Sequence, residues 1–233
     1  MTTSALIDAL LTHWEEIPAT TAEQATMRAR ILALAQEIVQ EIWDYAEWEF
    51  RHRSGTLTLP SGAYVVDGPT DFQTTGQSGG LFVDSQRTEI RWMDPLHLHR
   101  ERELRAVQNN TVPKFYSIDN TGTTSGYARF VFDITASGSV TINIYYLATP
   151  PVLVDTTGST NGLDKIPTEY HQSVVIPGCR WLIALSSGDG RTAELLVIYQ
   201  HALARMKSRR RPGQESLERI GQYGRGITRY GAW

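Results

Sequence analysis

Apolar residues recur at helical spacing at both ends of the chain and at strand spacing between them. Leu6, Ile7, Leu10, Leu11 and Trp14 fall at steps of one, three and four, predicting a helix over 4–14 with Ser4 as its N-cap. Pro18 stops it. Met27, Ile31, Leu34, Ile38, Ile42 and Tyr45 carry the same period through 22–50, a stretch without Gly or Pro. At about 1.5 Å per residue that helix reaches roughly 40 Å and needs a partner for its apolar stripe.

The period changes at Ser54-Gly55. Residues 56–59 alternate and end at Pro60, 63–66 and 81–84 read as short strands, and 88–93 alternates with Ile90 and Trp92 on one face. Gly, Ser, Thr and Asp fill the gaps, which marks turns. Asp94-Pro95 supplies an N-cap followed by a proline at the first helical position, so 95–107 is predicted as a helix. Strands follow over 114–118, 127–134 and 139–147, the last with Val140, Ile142, Ile144 and Tyr146 on one face, and Pro150-Pro151 closes the region. A polar link over 155–164 leads to a helix over 167–186, which Pro177-Gly178 should kink. Ser187-Gly188-Asp189-Gly190 separates it from a last helix over 191–209, where Leu195, Ile198, Leu203 and Met206 recur. Residues 212–233 are rich in Gly, Arg and aromatics and have no period.

This order predicts an α+β fold: a discontinuous four-helix bundle with an inserted β-rich domain and an extended C-terminal arm. The expected divisions are 1–53 (first half of the bundle), 54–153 (β-rich domain with one short helix), 165–211 (second half) and 212–233 (arm).

Composition narrows the function classes. Hydrophobic residues make up 41% of the 233, enough for a real core, and the formal net charge of -3 is not that of a polycation. The single cysteine, Cys179, excludes an internal disulfide and suits a reducing compartment. Residues 1–5 carry no basic or apolar leader pattern, and no apolar run is long enough to span a bilayer, so neither a secretory signal nor a membrane partner is expected. Six Trp and ten Tyr supply amphipathic rings for cores and interfaces.

Three stretches carry a family resemblance. One is Trp43-Asp44-Tyr45-Ala46-Glu47-Trp48-Glu49-Phe50 followed by Thr56-Leu57-Thr58-Leu59-Pro60. The second is Val112-Pro113-Lys114-Phe115-Tyr116-Ser117-Ile118, leading to Asn143-Ile144-Tyr145-Tyr146-Leu147-Ala148-Thr149-Pro150-Pro151-Val152-Leu153. The third is Lys165-Ile166-Pro167-Thr168-Glu169-Tyr170-His171-Gln172, opening a helix pair that ends in arginines. In this order they resemble the head-to-tail adaptor, or tail accessory, family of tailed bacteriophages, of podovirus type with siphovirus relatives. The resemblance implies a homo-oligomeric ring, a dodecamer, in the virion neck between head and tail. It implies assembly in the host cytoplasm, a portal protein and a tail or nozzle protein as partners, DNA only as passing cargo, and a C-terminal arm that reaches the portal. It implies no enzymatic activity, no catalytic residue, no metal and no cofactor.

The chemical motifs have bland readings. His97 and His99 point to different faces of a helix, and His97 with Glu101 makes only two ligands, short of a zinc site. Cys179 sits in an apolar stretch and reads as a buried thiol. Asp67, Asp71 and Asp84 lack calcium-loop spacing and suit turns. Gly188-Asp189-Gly190-Arg191 lacks the lysine of a phosphate loop and reads as a helix stop and restart.

The charge asymmetry at the end of the chain bears on function. Eight cations against two carboxylates over 205–233 leave an excess of six, so the rest of the chain carries nine more acids than bases. Arginine with aromatics is the composition of an interface anchor. Arg209, Arg210, Arg211, Tyr223, Arg225, Arg229, Tyr230 and Trp233 are therefore the expected portal-docking residues, and Trp43 and Trp48 the candidates for the subunit interface, unless they are core. Two alternatives stay open: a nucleic-acid-binding protein acting through its basic tail, marked by steeply salt-dependent DNA binding, and a virion-associated cell-wall enzyme, marked by turnover of wall polymers.

Overall fold

The computed structural model describes residues 1–12, 20–76, 79–83, 88–107, 112–119, 128–157 and 162–209. The chain divides into a helical unit, Met1–Ala46 with Pro151–Trp233, and a strand unit, Glu47–Pro150.

The helical unit begins with α1 (Thr3–Leu11), capped by Thr2 rather than Ser4: the Ala5 amide donates to Thr2 Oγ1 at 3.2 Å. Leu6, Ile7 and Leu10 are fully buried. The long helix α2 (Thr21–Tyr45) opens with a reciprocal capping box, in which the Glu23 amide donates to Thr20 Oγ1 at 3.2 Å and the Thr20 amide to Glu23 Oε2 at 3.0 Å. Arg28 ties it to neighbouring segments by pairing with Asp8 and, at 2.8 Å, with Asp155. Gln36 holds the extended segment after Pro150 as a neighbouring strand would, donating to the Pro151 carbonyl at 3.0 Å and accepting from the Leu153 amide at 2.7 Å.

The third predicted helix is a composite. A single turn, α4 (Thr168–Tyr170), runs into a π-helical stretch, His171–Val175, and then into α5 (Ile176–Ser187). Pro177 has no amide to give an α-helix running through it, and its ring would crowd the preceding turn. The wider π turn takes up this misfit and leaves the proline in the first turn of α5. Gly178 brings α5 close to its neighbours: a Cβ there would lie 2.8 Å from the Tyr199 ring and 2.9 Å from Ile38. Gly188, at φ 72°, ends α5 in the left-handed conformation, and Asp189 accepts from the Arg191 amide at 2.9 Å before α6 (Thr192–Ser208). Trp181 stacks on the buried Tyr199, with centroids 5.7 Å apart.

In the strand unit, β8 (Val140–Ala148) is the central element. On one side it pairs antiparallel with β1 (His52–Leu59) over eight registered positions, from His52↔Leu147 to Leu59↔Val140. It also pairs with β3 (Phe72–Thr74) and β4 (Gly80–Val83). From β4 the sheet continues through β5 (Thr88–Trp92), β6 (Phe115–Asp119) and β7 (Arg129–Phe132) to β2 (Val65–Asp67). The β5–β6 pair is parallel, and α3 (Pro95–Val107) makes the crossover that a parallel pair requires. Asp94 caps α3, accepting from the Leu96 amide at 2.9 Å. Ile142, Ile144, Leu81, Phe130 and Phe132 fill the interior. Under α3, Arg105 pairs with Asp133, which also accepts the amides of Lys114 and Phe115 at 3.1 and 3.2 Å.

The expectation of a discontinuous four-helix bundle with an inserted β-rich domain and an extended arm is corrected here. The fold is mixed α+β, with five helices of nine residues or more among the described residues and one large eight-stranded, nearly closed, barrel-like sheet. The short alternating stretches all register on one another, and β1 and β2, at the two ends of the strand order, lie side by side. The helices are too unequal for a four-membered bundle: α1 has 9 residues against 25 in α2, and the third is broken by the π turn. The expected arm, 212–233, lies outside the described residues.

Candidate functional site

Each unit presents its own exposed apolar side chains. In the strand unit Trp92, Leu96 and Leu104 are each about 60% exposed. Leu98 and Arg105 occupy the inner side of α3, one above the other at i and i+7, so Leu96 and Leu104 fall on its outer side. In the helical unit Leu185, Val197 and Ile198 are about half exposed, and Val152 and Val154 project from the extended segment held by Gln36. Large apolar side chains left exposed are candidates for surfaces that meet another protein.

The helical unit also holds a cleft of about 340 Å³. Its first wall is the end of α4, contributing Tyr170, and the π turn, contributing Ser173 and Val174. Its second is one side of α6, where Ile198, Ala202, Arg205 and Arg209 follow at steps of four, three and four, with His201 and Met206 beside them. The floor is apolar, with Val174 and Met206 buried, while His201, Arg205 and Arg209 are exposed at the rim. The π-helical stretch ahead of Pro177 shapes this wall. Sequence periodicity placed Ile198 in the core and missed the cleft. A proline ten residues after the start of a predicted helix was the signal that this stretch would not run as a regular α-helix.

Of the expected docking residues, Arg209 caps α6, its amide donating to the Arg205 carbonyl at 3.1 Å. Arg210, Arg211, Tyr223, Arg225, Arg229, Tyr230 and Trp233 lie outside the described residues. Trp43 and Trp48 are 1% and 3% exposed, and Trp48 stacks on Phe50 with centroids 5.9 Å apart.

The motifs weighed for chemistry have structural partners. His97 sits 3.5 Å from Asp94, and His99 lies 3.5 Å from Glu103 and 3.0 Å from Arg102. Among the described residues no group of three or more His, Cys, Asp or Glu is placed to hold a metal ion. Burial pushes the Cys179 thiol up to about 12, so it stays protonated. Asp71 accepts from the Tyr146 hydroxyl at 2.7 Å, and Asp67 lies 3.5 Å from Arg129, while Asp84 is outside the described residues. His171 is buried, with Nε2 donating to the Ile166 and Leu163 carbonyls at 2.8 and 3.0 Å. No helix among the described residues is long and apolar enough to cross a membrane.

The described residues form a two-unit α+β chain with exposed apolar side chains in each unit. Residues 1–219 match the family model described as SU10 adaptor protein, and the chain belongs to this family of tailed-phage head-to-tail adaptors. Its role is that of a phage adaptor, a structural component of the neck region that meets other head and tail proteins. No curated protein matches the chain.

Proposed function

We propose that the chain is a non-enzymatic connector subunit that closes into a ring, a dodecamer, between the portal and the tail or nozzle, with genome DNA passing through the ring. The observation that carries this reading is the set of large apolar side chains exposed in each unit: Trp92, Leu96 and Leu104, and Leu185, Val197 and Ile198. A ring requires heterologous contacts, in which one surface of a copy meets a different surface of the next. Two dissimilar sets of exposed groups suit them. Trp43 and Trp48, both buried, stiffen these units from within. The segment from Arg209 to Trp233, with its excess of arginine and its aromatics, is the arm that docks on the portal, where Tyr223, Tyr230 and Trp233 act as anchors. The acidic balance of the rest of the chain keeps passing DNA from sticking.

Native mass spectrometry of the full chain with rings of the phage portal tests this. The expected result is a ring stoichiometry on the portal and no tight dimer without it, since each isolated contact is weak and closure supplies the cooperativity. Deleting 212–233 should abolish docking and leave the melting temperature unchanged. A tight two-fold dimer that ignores the portal, or a truncated chain that docks normally, overturns the reading.

A further inference from the structure

One side of α6 joins cations to an apolar floor. His201, Arg205 and Arg209 follow at steps of four, about 6 Å apart along the helix axis, and all three are exposed at the rim of the cleft. The floor has Val174 and Met206 buried, with Ile198 and Ala202 completing the apolar lining. Among the described residues none of the three basic groups forms an ion pair. The lining holds no carboxylate. Glu169, which adjoins Tyr170, hydrogen-bonds the Tyr170 hydroxyl, and the charge of Arg209 reaches the same hydroxyl. The helix dipole accounts for cations in the last turn of α6. It accounts neither for His201, two turns before the end, nor for an apolar floor left open beside the cations. Lys207, the other cation of that end, is not part of the lining and lies over the Tyr45 ring at 5.6 Å.

We propose that this cleft receives an acidic segment of the portal protein, with an apolar side chain of that segment seated on Val174 and Met206 and its carboxylates on Arg205 and Arg209. The proposal deepens the connector reading and rests on it. Unpaired cations around an apolar floor match a segment in which carboxylates flank an apolar side chain, since arginine clusters read acidic motifs through charge-assisted, bidentate hydrogen bonds. Position selects the source. Arg209, the last residue of the rim, is also the first of the basic segment proposed to dock on the portal, so the partner of that segment stands at the mouth of the cleft. The basic segment does not itself fill the cleft, because Arg210 and Arg211 repeat the charge of the rim. Nucleic acid would satisfy the cations and leave the apolar floor bare.

Photo-crosslinking of the full chain tests the site. The chain carries p-benzoylphenylalanine in place of Ile198, which lines the cleft and is 46% exposed. It is mixed with portal rings and irradiated, and the crosslinked peptides are read by mass spectrometry. The expected product joins residue 198 to a portal peptide in which Asp or Glu flank an apolar residue. Adding H201E and R205E should lower its yield about tenfold or more, the loss of at least one charge-assisted contact. Adding A202W instead, which fills the floor and leaves the charge unchanged, should lower it as well. Circular dichroism and melting confirm that the variants fold. With the chain bound to the portal, three results overturn the site and leave the connector reading standing: no crosslink, a crosslink to a portal segment without carboxylates or to a second copy of the chain, or an unchanged yield in either variant. Loss of the crosslink on adding a DNA duplex assigns the cations to nucleic acid and also overturns it. A chain that does not bind the portal at all overturns both readings.

Discussion

In the strand unit Arg105 and Asp133 are buried as opposite charges and Arg51 is buried as well, whereas in the helical unit the buried polar side chains, Thr3, His171 and Tyr199, are neutral. The strand unit satisfies its pair completely. Asp133 accepts two backbone amides besides the guanidinium, and Arg105 also donates to the Val112 carbonyl at 3.2 Å. Burial holds the Tyr199 phenol and the His171 imidazole in their uncharged forms, and His171 Nδ1 has no hydrogen-bond partner. The charges of the helical unit sit instead near the surface, as with Arg28 between Asp8 and Asp155. The lesson is that the two units fail in different ways. The strand unit relies in part on buried charge that is fully paired, and the helix cluster on shape and on keeping protons off its interior.

Asp133→Ala should have the largest effect, because it leaves Arg105 buried without its partner. The expected loss is about 3–5 kcal/mol, read by urea denaturation with strand-unit probes. An effect below about 1 kcal/mol would mean that the pair carries little of that unit's stability. Gly178→Val attacks shape fit in the helical unit, where Tyr199 and Ile38 would have to move. The expected cost is about 1–3 kcal/mol, and near-UV circular dichroism should report disturbed packing of Trp181 on Tyr199.

His171 sharpens the contrast through pH. Burial lowers its folded pKa, so the folded state takes up the proton less readily than the unfolded chain. Stability is then full above the unfolded value of about 6.5 and declines as pH falls below it, by at most about 1.4 kcal/mol per pH unit. His171→Gln keeps a donor near the position of Nε2 and should remove that part of the decline. Denaturation series from pH 8 to 5 on both proteins check this, and identical slopes would refute it. Thr20→Ala, which removes half of the capping box of α2, should cost the least, about 1 kcal/mol, visible as a small fall in melting temperature.

Local signals in the sequence identified the elements that carry their own instructions. Asp94-Pro95 marked α3, and its range 95–107 agrees with the structure. The alternation of Ile142, Ile144 and Tyr146 marked the buried face of β8. Two boundaries moved for physical reasons. The aromatic run after Tyr45 extended the helical pattern to Phe50, but Ala46 is extended and Trp48 stacks on Phe50 across a short 3-10 turn, Glu49–Arg51. Gly55 read as a break, yet it lies inside β1 opposite Ile144. The three-residue strand β3 was too short to stand out from the turn residues around it.

The candidate surfaces were less legible than the elements. Periodicity tells which residues share a side of a helix, and it does not tell whether anything covers that side. Leu185 and Ile198 follow the helical period and are nonetheless exposed. The Arg105–Asp133 pair joins positions 28 residues apart, a distance at which no local pattern speaks.

The position of β8 sets a schedule for synthesis. This strand pairs with β1, β3 and β4, and it is the last strand of its unit to be made. At a ribosomal rate of about 5–20 residues per second, the roughly 80 residues between β1 and β8 take about 4–16 seconds to appear. Throughout that interval β1 waits without its pairing partner. Strands β2, β4, β5, β6 and β7 pair among themselves and can form first. β1 and β3 pair only with β8, so the nascent chain exposes them to chaperones and to other nascent copies until Ala148 has emerged.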